Sequence, residues 1–231
     1  MFRTPPSIEL ISLHIPKTAG TSFRNILKSV YGEKAIVRVD IPLEGERASH
    51  EKAVQGPERL PKETRVLHGH FRAKDLACHY RLGAGTPVIT WMRDPVERVL
   101  SNFFYLQKIL RGIVQEEKKN VNLLNKMEKT LLEYARAEIA RNRMAKLLEG
   151  TRLGDLLFVG VREHFSEDLA DLARVLGWKT FPEFRHNDSE EQRPPVDAAL
   201  RDEIRRLNEG DAALYEEALR LRRRRLGMPE P

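Results

Sequence analysis

In the string His14-Ile15-Pro16-Lys17-Thr18-Ala19-Gly20-Thr21-Ser22, one ammonium and three hydroxyls fall within a single short turn. Those are groups that hold an anion: Lys17 supplies a full charge, and Thr18, Thr21 and Ser22 supply hydroxyl donors. A second pair, Arg93 and Ser101, can share one anion if a helix sets them about two turns apart. A third set, His68 and His70, offers two imidazoles, whose unperturbed pKa of about 6.5 suits them to accept a proton near neutrality.

The flanking residues say how these groups are positioned. Ile8, Leu10, Ile11 and Leu13 make a short buried-strand pattern, and Phe23, Ile26, Leu27, Val30 and Tyr31 recur at helical spacing up to Gly32, a natural helix stop. The turn therefore feeds a helix N-terminus, where unpaired N–H groups and the positive end of the dipole add to Lys17. Val88-Ile89-Thr90-Trp91-Met92 reads as another strand running into a helix. Asp94 as N-cap, Pro95 at the first helical position and Glu97 three after the cap predict a capping box. Val96, Val99, Leu100, Phe103 and Phe104 form its apolar stripe, leaving Arg93 at the strand end and Ser101 on a more polar flank. In Val66-Leu67-His68-Gly69-His70-Phe71 a period of two puts both histidines on one face. Each unit taken alone also has a plainer reading. These are a structural strand-to-helix connection, a capped helix with an exposed arginine, and histidines that bind a metal or structural partners.

The nucleotide-triphosphatase pattern G-x-x-x-x-G-K-[ST] is not met, because Lys17 precedes Gly20 and no Lys-Ser or Lys-Thr pair follows that glycine, which disfavours an Mg-ATP site. Residues 14–23 resemble instead the 5′-phosphosulfate loop of sulfotransferases that use 3′-phosphoadenosine 5′-phosphosulfate (PAPS). In that family an arginine and a serine at the spacing of Arg93 and Ser101 hold the 3′-phosphate, and Arg93-Asp94-Pro95, Glu97-Arg98 and Ser101 all match. His68-Gly69-His70 resembles the catalytic strand of the 2-O-sulfotransferases, which act on uronic acids in glycosaminoglycans, so the carbohydrate, 2-O-sulfotransferase-like branch is the closest. Looser likenesses link Phe158–Glu163 with Phe165, Leu169, Leu172, Val175 and Leu176 to the family's late strand and helix. Asp211–Tyr215 resembles its terminal helix, and Arg141–Gly150 the end of its long middle helix, near donor and acceptor. The resemblance runs from about residue 8 to about residue 220.

The resemblance implies an enzyme that moves a sulfuryl group from PAPS to a hydroxyl acceptor on a sugar or glycan. Lys17, Thr18, Ala19, Gly20, Thr21 and Ser22 would bind the 5′-phosphate, with Lys17 also stabilising the bridging oxygen. Arg93 and Ser101 would bind the 3′-phosphate, and His70 or His68 would accept the hydroxyl proton. Glu163 is expected to cap or pair rather than catalyse. No metal is implied, since lysine and helix-end charge take the place of a kinase's magnesium. A P-loop-like nucleotide kinase and a non-catalytic nucleotide- or glycan-binding protein of the same fold are the alternatives.

Apolar strands near 8–13, 65–70, 87–92 and 156–161 alternate with helical stretches. That order predicts an α/β fold with a mainly parallel central sheet flanked by helices, a P-loop-like nucleotide-binding fold with its ligand at the strands' carboxyl ends. A chain of 231 residues fits one domain. Residues 40–64 and 106–149 read as insertions that shape the acceptor side, the second carrying a long exposed helical run from about 115 to 149. Pro194-Pro195 precedes a final helical region, 197–226.

Forty Lys and Arg against 34 Asp and Glu give a formal charge of +6, which favours anionic ligands. Part of the excess is Arg220 and Arg222 to Arg225, read as a solvated helix end with no aromatics interleaved to stack on bases, so no nucleic-acid partner is expected. The single cysteine, Cys78, excludes an intramolecular disulfide and a Cys-based zinc cluster. No apolar run is long enough for a membrane span or signal peptide, so a cytoplasmic protein is expected. In this the chain departs from the anchored, disulfide-bearing Golgi sulfotransferases of animals, which disfavours a complex extracellular glycan as acceptor.

Overall fold

Among the described residues, five parallel strands form one sheet with the candidate residues toward its carboxyl end. The computed structural model describes residues 6–43, 56–83, 85–116, 129–182 and 193–229. Strands β1 (Leu10–Leu13), β2 (Ile36–Arg38), β3 (Val66–Gly69), β4 (Val88–Met92) and β5 (Phe158–Val161) pair in the order β2-β3-β1-β4-β5, every pairing parallel. The helices are α1 (Gly20–Tyr31), α2 (Ala73–His79), α3 (Pro95–Glu116), α4 (Leu131–Arg136), α5 (Arg143–Leu147), α6 (Phe165–Val175), α7 (Ala198–Leu207) and α8 (Glu209–Arg225). β2 is not among the strands the apolar runs predict, because three partly exposed residues at a sheet edge offer no period to read.

A parallel sheet must be covered on both faces, which is why β1, β3 and β5 are buried at every position. The two-residue period divides the core. Leu10, Val66, Ile89, Trp91 and Phe158 pack against Phe23, Ile26 and Leu27 of α1 and Phe165, Leu169 and Leu172 of α6. Ile11, Leu13, Leu67, Met92, Val159 and Val161 face Leu76, Met144, Leu147, Tyr215 and Ala218 on the other side. A smaller cluster joins Val96, Val99 and Leu100 of α3 to Ala135 and Ile204. Helix α3 is further held by Arg98, which is buried, donates to the Ala140 carbonyl at 2.7 Å and lies 3.5 Å from the buried Asp211 carboxylate.

The structure corrects several expectations. No single helix runs from 115 to 149 among the described residues: α3 reaches Glu116, and the part after 128 folds as the short α4 and α5. Extended Ala137 and left-handed Asn142 interrupt the path, and Ala135, Met144, Leu147 and Leu148 are buried, so this part belongs to the core. Residues 44–55 and 117–128, the middles of the two stretches read as insertions, lie outside the described residues. The final helical region divides at the buried Asn208, whose side-chain amide donates to the Ile204 carbonyl and whose Oδ1 accepts from the Asn142 N–H. The predicted capping box is half formed. Asp94 accepts from the Glu97 N–H at 3.0 Å, but the Glu97 carboxylate pairs with Arg201, and the Asp94 N–H goes to Glu163 instead.

The arginine run is solvated only in part: Arg220 and Arg224 are exposed, but Arg222 and Arg225 turn inward. Arg222 and Arg225 both reach the fully buried Asp168 at 2.8 Å, and Arg225 also donates to the Val159 carbonyl and covers the Phe158 ring. Asp168 accepts in addition from the Val161 N–H, so this one carboxylate ties α6 and α8 to the end of β5. Cys78 is exposed. Among the described residues no helix is long and apolar enough to cross a membrane, and no three His, Cys, Asp or Glu side chains are grouped so as to hold a metal ion.

Candidate active site

The turn between β1 and α1 is held in a conformation that most residues avoid. Lys17 and Ala19 both have φ of 72°, in the left-handed region, which costs a non-glycine residue roughly 1–2 kcal/mol. The turn is pinned from two sides: the Thr18 hydroxyl donates to the Ile15 carbonyl at 2.8 Å, and Arg93 donates to the Lys17 carbonyl at 3.0 Å. Helix α1 then starts with no side-chain cap and no acidic residue in its first turn. Its first N–H groups and the positive end of its dipole are thus left at the cavity, an arrangement that favours a negative charge.

That cavity, of about 370 Å³, is lined by Lys17, Ala19, Gly20, Thr21 and Ser22 from the turn and helix, and by His68 and His70 from β3 and the residue after it. Arg93 and Ser101 line it from the β4–α3 unit, both largely buried. Nine of the ten residues singled out in the sequence are thus brought to one cavity, the exception being Thr18, which is fully buried with its hydroxyl spent on Ile15. No residue of 141–150 lines it. Glu163 pairs, accepting from the Asp94 N–H and the Tyr215 hydroxyl, each at 3.1 Å. Burial, with the Glu163 charge beside it, raises the Tyr215 hydroxyl's pKa and keeps it a donor.

His14, Arg24, Arg38, Tyr105 and Arg162, to which the sequence motifs assign no role, also line the cavity. Lys17, Arg24, Arg38, Arg93 and Arg162 put five cations on the wall, and no carboxylate stands among the lining residues. Such a wall concentrates anions. The Lys17 ammonium rests 3.7 Å above the centre of the Tyr105 ring. At an exposed ring this is worth about 0.5–1 kcal/mol, less than the roughly 1.5–3 kcal/mol of a hydrogen bond to a charged group.

The two predicted histidines sit in different surroundings. His68 is buried, its Nδ1 lies 3.0 Å from the Ser12 hydroxyl, and burial, aided by the charges of His70, Arg24 and Arg38, pushes its pKa down to about 3. It is a neutral ring throughout the physiological range. His70 is half-buried and its Nδ1 lies 2.9 Å from Asp40 Oδ1, the oxygen that also accepts the His70 backbone N–H at 3.0 Å. The other Asp40 oxygen accepts from Arg38 Nε at 2.7 Å. Partial burial works against ionisation of Asp40, but the bonds from His70 and Arg38 outweigh it and hold the carboxyl well below the usual range. An ionised Asp40 can only accept, so neutral His70 carries its proton on Nδ1 and keeps a lone pair on Nε2.

Two glycines beside the cavity permit close approach. A Cβ on Gly69 would lie 1.7 Å from the Val39 carbonyl oxygen, where the chain after β2 runs over β3, and one on Gly20 would lie 1.9 Å from the His14 ring.

The family model for the Sulfotransferase family matches residues 1–216. Among solved structures, a sulfotransferase from Alicyclobacillus acidocaldarius is similar, with a TM-score of 0.50 and 16% identity over 92% of this chain and 94% of its own. Mouse sulfotransferase SULT7A1, complexed with PAP, is similar with a TM-score of 0.45 and 16% identity over 87% of this chain and 65% of its own. No curated protein sequence matches the chain.

Proposed function

The chain belongs to the sulfotransferase family, and we propose that it moves a sulfuryl group from PAPS to the hydroxyl of a sugar, with His70 as the proton acceptor. The observation that carries this is the His70–Asp40 pair on the same cavity as Lys17, the uncapped helix α1, Arg93 and Ser101. An anion-holding turn alone would serve a binding protein. A base lining the same cavity as that turn serves a reaction.

The roles follow from position. Gly20, Thr21 and Ser22 at the helix start, with Lys17, take the 5′-phosphosulfate, while Arg93 and Ser101, flanked by Arg162, take the 3′-phosphate. The acceptor then enters beside β2 and β3, where Arg38 and His70 stand. His70 Nε2 takes the hydroxyl proton as the acceptor oxygen bonds to sulfur. The bond from sulfur to the bridging oxygen breaks, and adenosine 3′,5′-bisphosphate leaves. Lys17 and the helix N–H groups meet the charge that grows on the departing phosphate. His68, held neutral beside Ser12, orients rather than titrates.

The sugar acceptor rests on the likeness of the His68-Gly69-His70 strand to that of the carbohydrate branch. Asp40, the first residue of the 40–64 stretch, pairs with His70, and Tyr105, just before the 106–149 stretch, lines the cavity. A cytoplasmic location fits a chain whose only cysteine is unpaired.

Calorimetric titration with adenosine 3′,5′-bisphosphate, against adenosine 5′-phosphate and Mg-ATP, tests the donor. Binding that requires the 3′-phosphate and weakens in Arg93→Ala supports the reading, whereas preference for Mg-ATP moves a kinase to the front. Donor binding with no transfer from PAPS to any hydroxyl of a sugar panel would leave a binding protein.

A further inference from the structure

His14 is the centre of the histidine cluster, although only His68 and His70 were picked out by spacing. Its ring stacks on His68 with centroids 5.2 Å apart and planes at 14°, and meets His70 at 4.8 Å and 33°. Its third side is the backbone of Gly20, where a Cβ would come within 1.9–2.4 Å of three ring atoms. The placement follows from register: Leu13 pairs with Gly69, and the His14 N–H donates to the Gly69 carbonyl at 2.8 Å, so His14 emerges between His68 of β3 and His70 just after it. The first residue of helix α1 is thereby fitted to a ring that touches the proposed base.

We propose that His14 is a positioning residue: wedged between Gly20 and the other two imidazoles, it fixes the plane of the His70 ring so that the nitrogen not bonded to Asp40 is presented to the cavity. This rests on the assignment of His70 as proton acceptor. His70 is held at one edge by Asp40, and that single ring bond leaves the ring able to swing off the carboxylate. The His14 face supplies the second restraint. Burial above all, and then the charges of His70 and His68, hold the His14 pKa well below its ordinary value, so His14 does not compete for the proton.

Long-range ¹H–¹⁵N correlation spectra of histidine-labelled protein read the tautomer of each ring. The unmutated protein should show His70 as a single tautomer with its proton on Nδ1. His14→Ala should lose this, giving a mixed-tautomer pattern at His70, whereas His14→Phe, which keeps a flat ring, should retain it. Gly20→Ala, whose new methyl group displaces the ring, should behave like His14→Ala and stands in for it if that variant does not fold. A single Nδ1–H tautomer in His14→Ala or Gly20→Ala would overturn the proposal, and so would its loss in His14→Phe, which would assign the role to the ring nitrogens. Binding of adenosine 3′,5′-bisphosphate to the unmutated protein is measured alongside. Its absence would sink the sulfuryl-transfer reading and leave the tautomer result standing as a property of the cluster.

Discussion

One carboxylate oxygen of Asp40 receives both the backbone N–H of His70, at 3.0 Å, and its ring Nδ1, at 2.9 Å. The backbone bond fixes where the residue starts and the ring bond fixes which nitrogen is left over. Removing the ring should therefore remove the base and little else. His70→Ala is expected to lower turnover roughly 10²- to 10⁴-fold while adenosine 3′,5′-bisphosphate binds as before. Near-normal turnover in His70→Ala would move the base to another residue, and His68→Gln would then be measured next.

Lys17 has two tasks in the proposed reaction, holding the donor and meeting charge on the leaving phosphate. Lys17→Met should thus weaken donor binding and also slow turnover at saturating PAPS, by about 10²- to 10³-fold, the scale for one donor aimed at developing charge. Weaker binding with unchanged saturated turnover would confine it to positioning.

Arg93 acts on the cavity and on the turn. It is buried, lines the cavity and also donates to the Lys17 carbonyl. Losing a charged hydrogen bond to phosphate costs roughly 1.5–3 kcal/mol, so Arg93→Ala should raise the Kd for adenosine 3′,5′-bisphosphate about 10- to 100-fold. Affinity for adenosine 5′-phosphate should fall less, and an equal fall for both nucleotides would assign Arg93 to the turn rather than to the 3′-phosphate.

How far the site was legible depends on which contacts are local. Lys17, Gly20, Thr21 and Ser22 are set by one turn and one helix, and Arg93 and Ser101 by another, so spacing along the chain sufficed to find them. Four of five strands were visible as apolar runs because a parallel sheet buries both faces, whereas β2, at the edge, was not. Asp40 and His14 reach His70 only through the β2-β3-β1 pairing, a long-range fact with no local signature. The arginines of α8 misled for the same reason. Arg222 and Arg225 look solvated on their own helix, yet their partner Asp168 lies more than fifty residues away.

That partnership carries its own prediction. Asp168 is fully buried, and Ala would leave Arg222 and Arg225 without it and the Val161 N–H unpaired. Breaking a buried pair by removing one side typically costs about 3–5 kcal/mol, so Asp168→Ala should lower Tm by roughly 6–20 °C for a chain of this size. A change under about 2 °C in calorimetry would mean that the arginines find water or other acceptors at no cost.

Acid should weaken the fold through the histidines that line the cavity. His68 has a pKa of about 3 when folded against an ordinary 6.5, so between those values the unfolded chain binds a proton that the native ring refuses. Stability therefore rises with pH across that window and is lost as pH falls below about 6.5, with a slope of up to about 1.4 kcal/mol per pH unit for each such ring. His14, also lowered by burial, adds in the same direction, and the depressed Asp40 continues the loss at lower pH, where its carboxylate is finally protonated. Urea denaturation at a series of pH values should show the midpoint falling from pH 7 to pH 4, and His68→Gln should flatten the curve by removing one of the refused protons. A curve of unchanged slope in that variant would mean that His68 already accepts its proton in the native state.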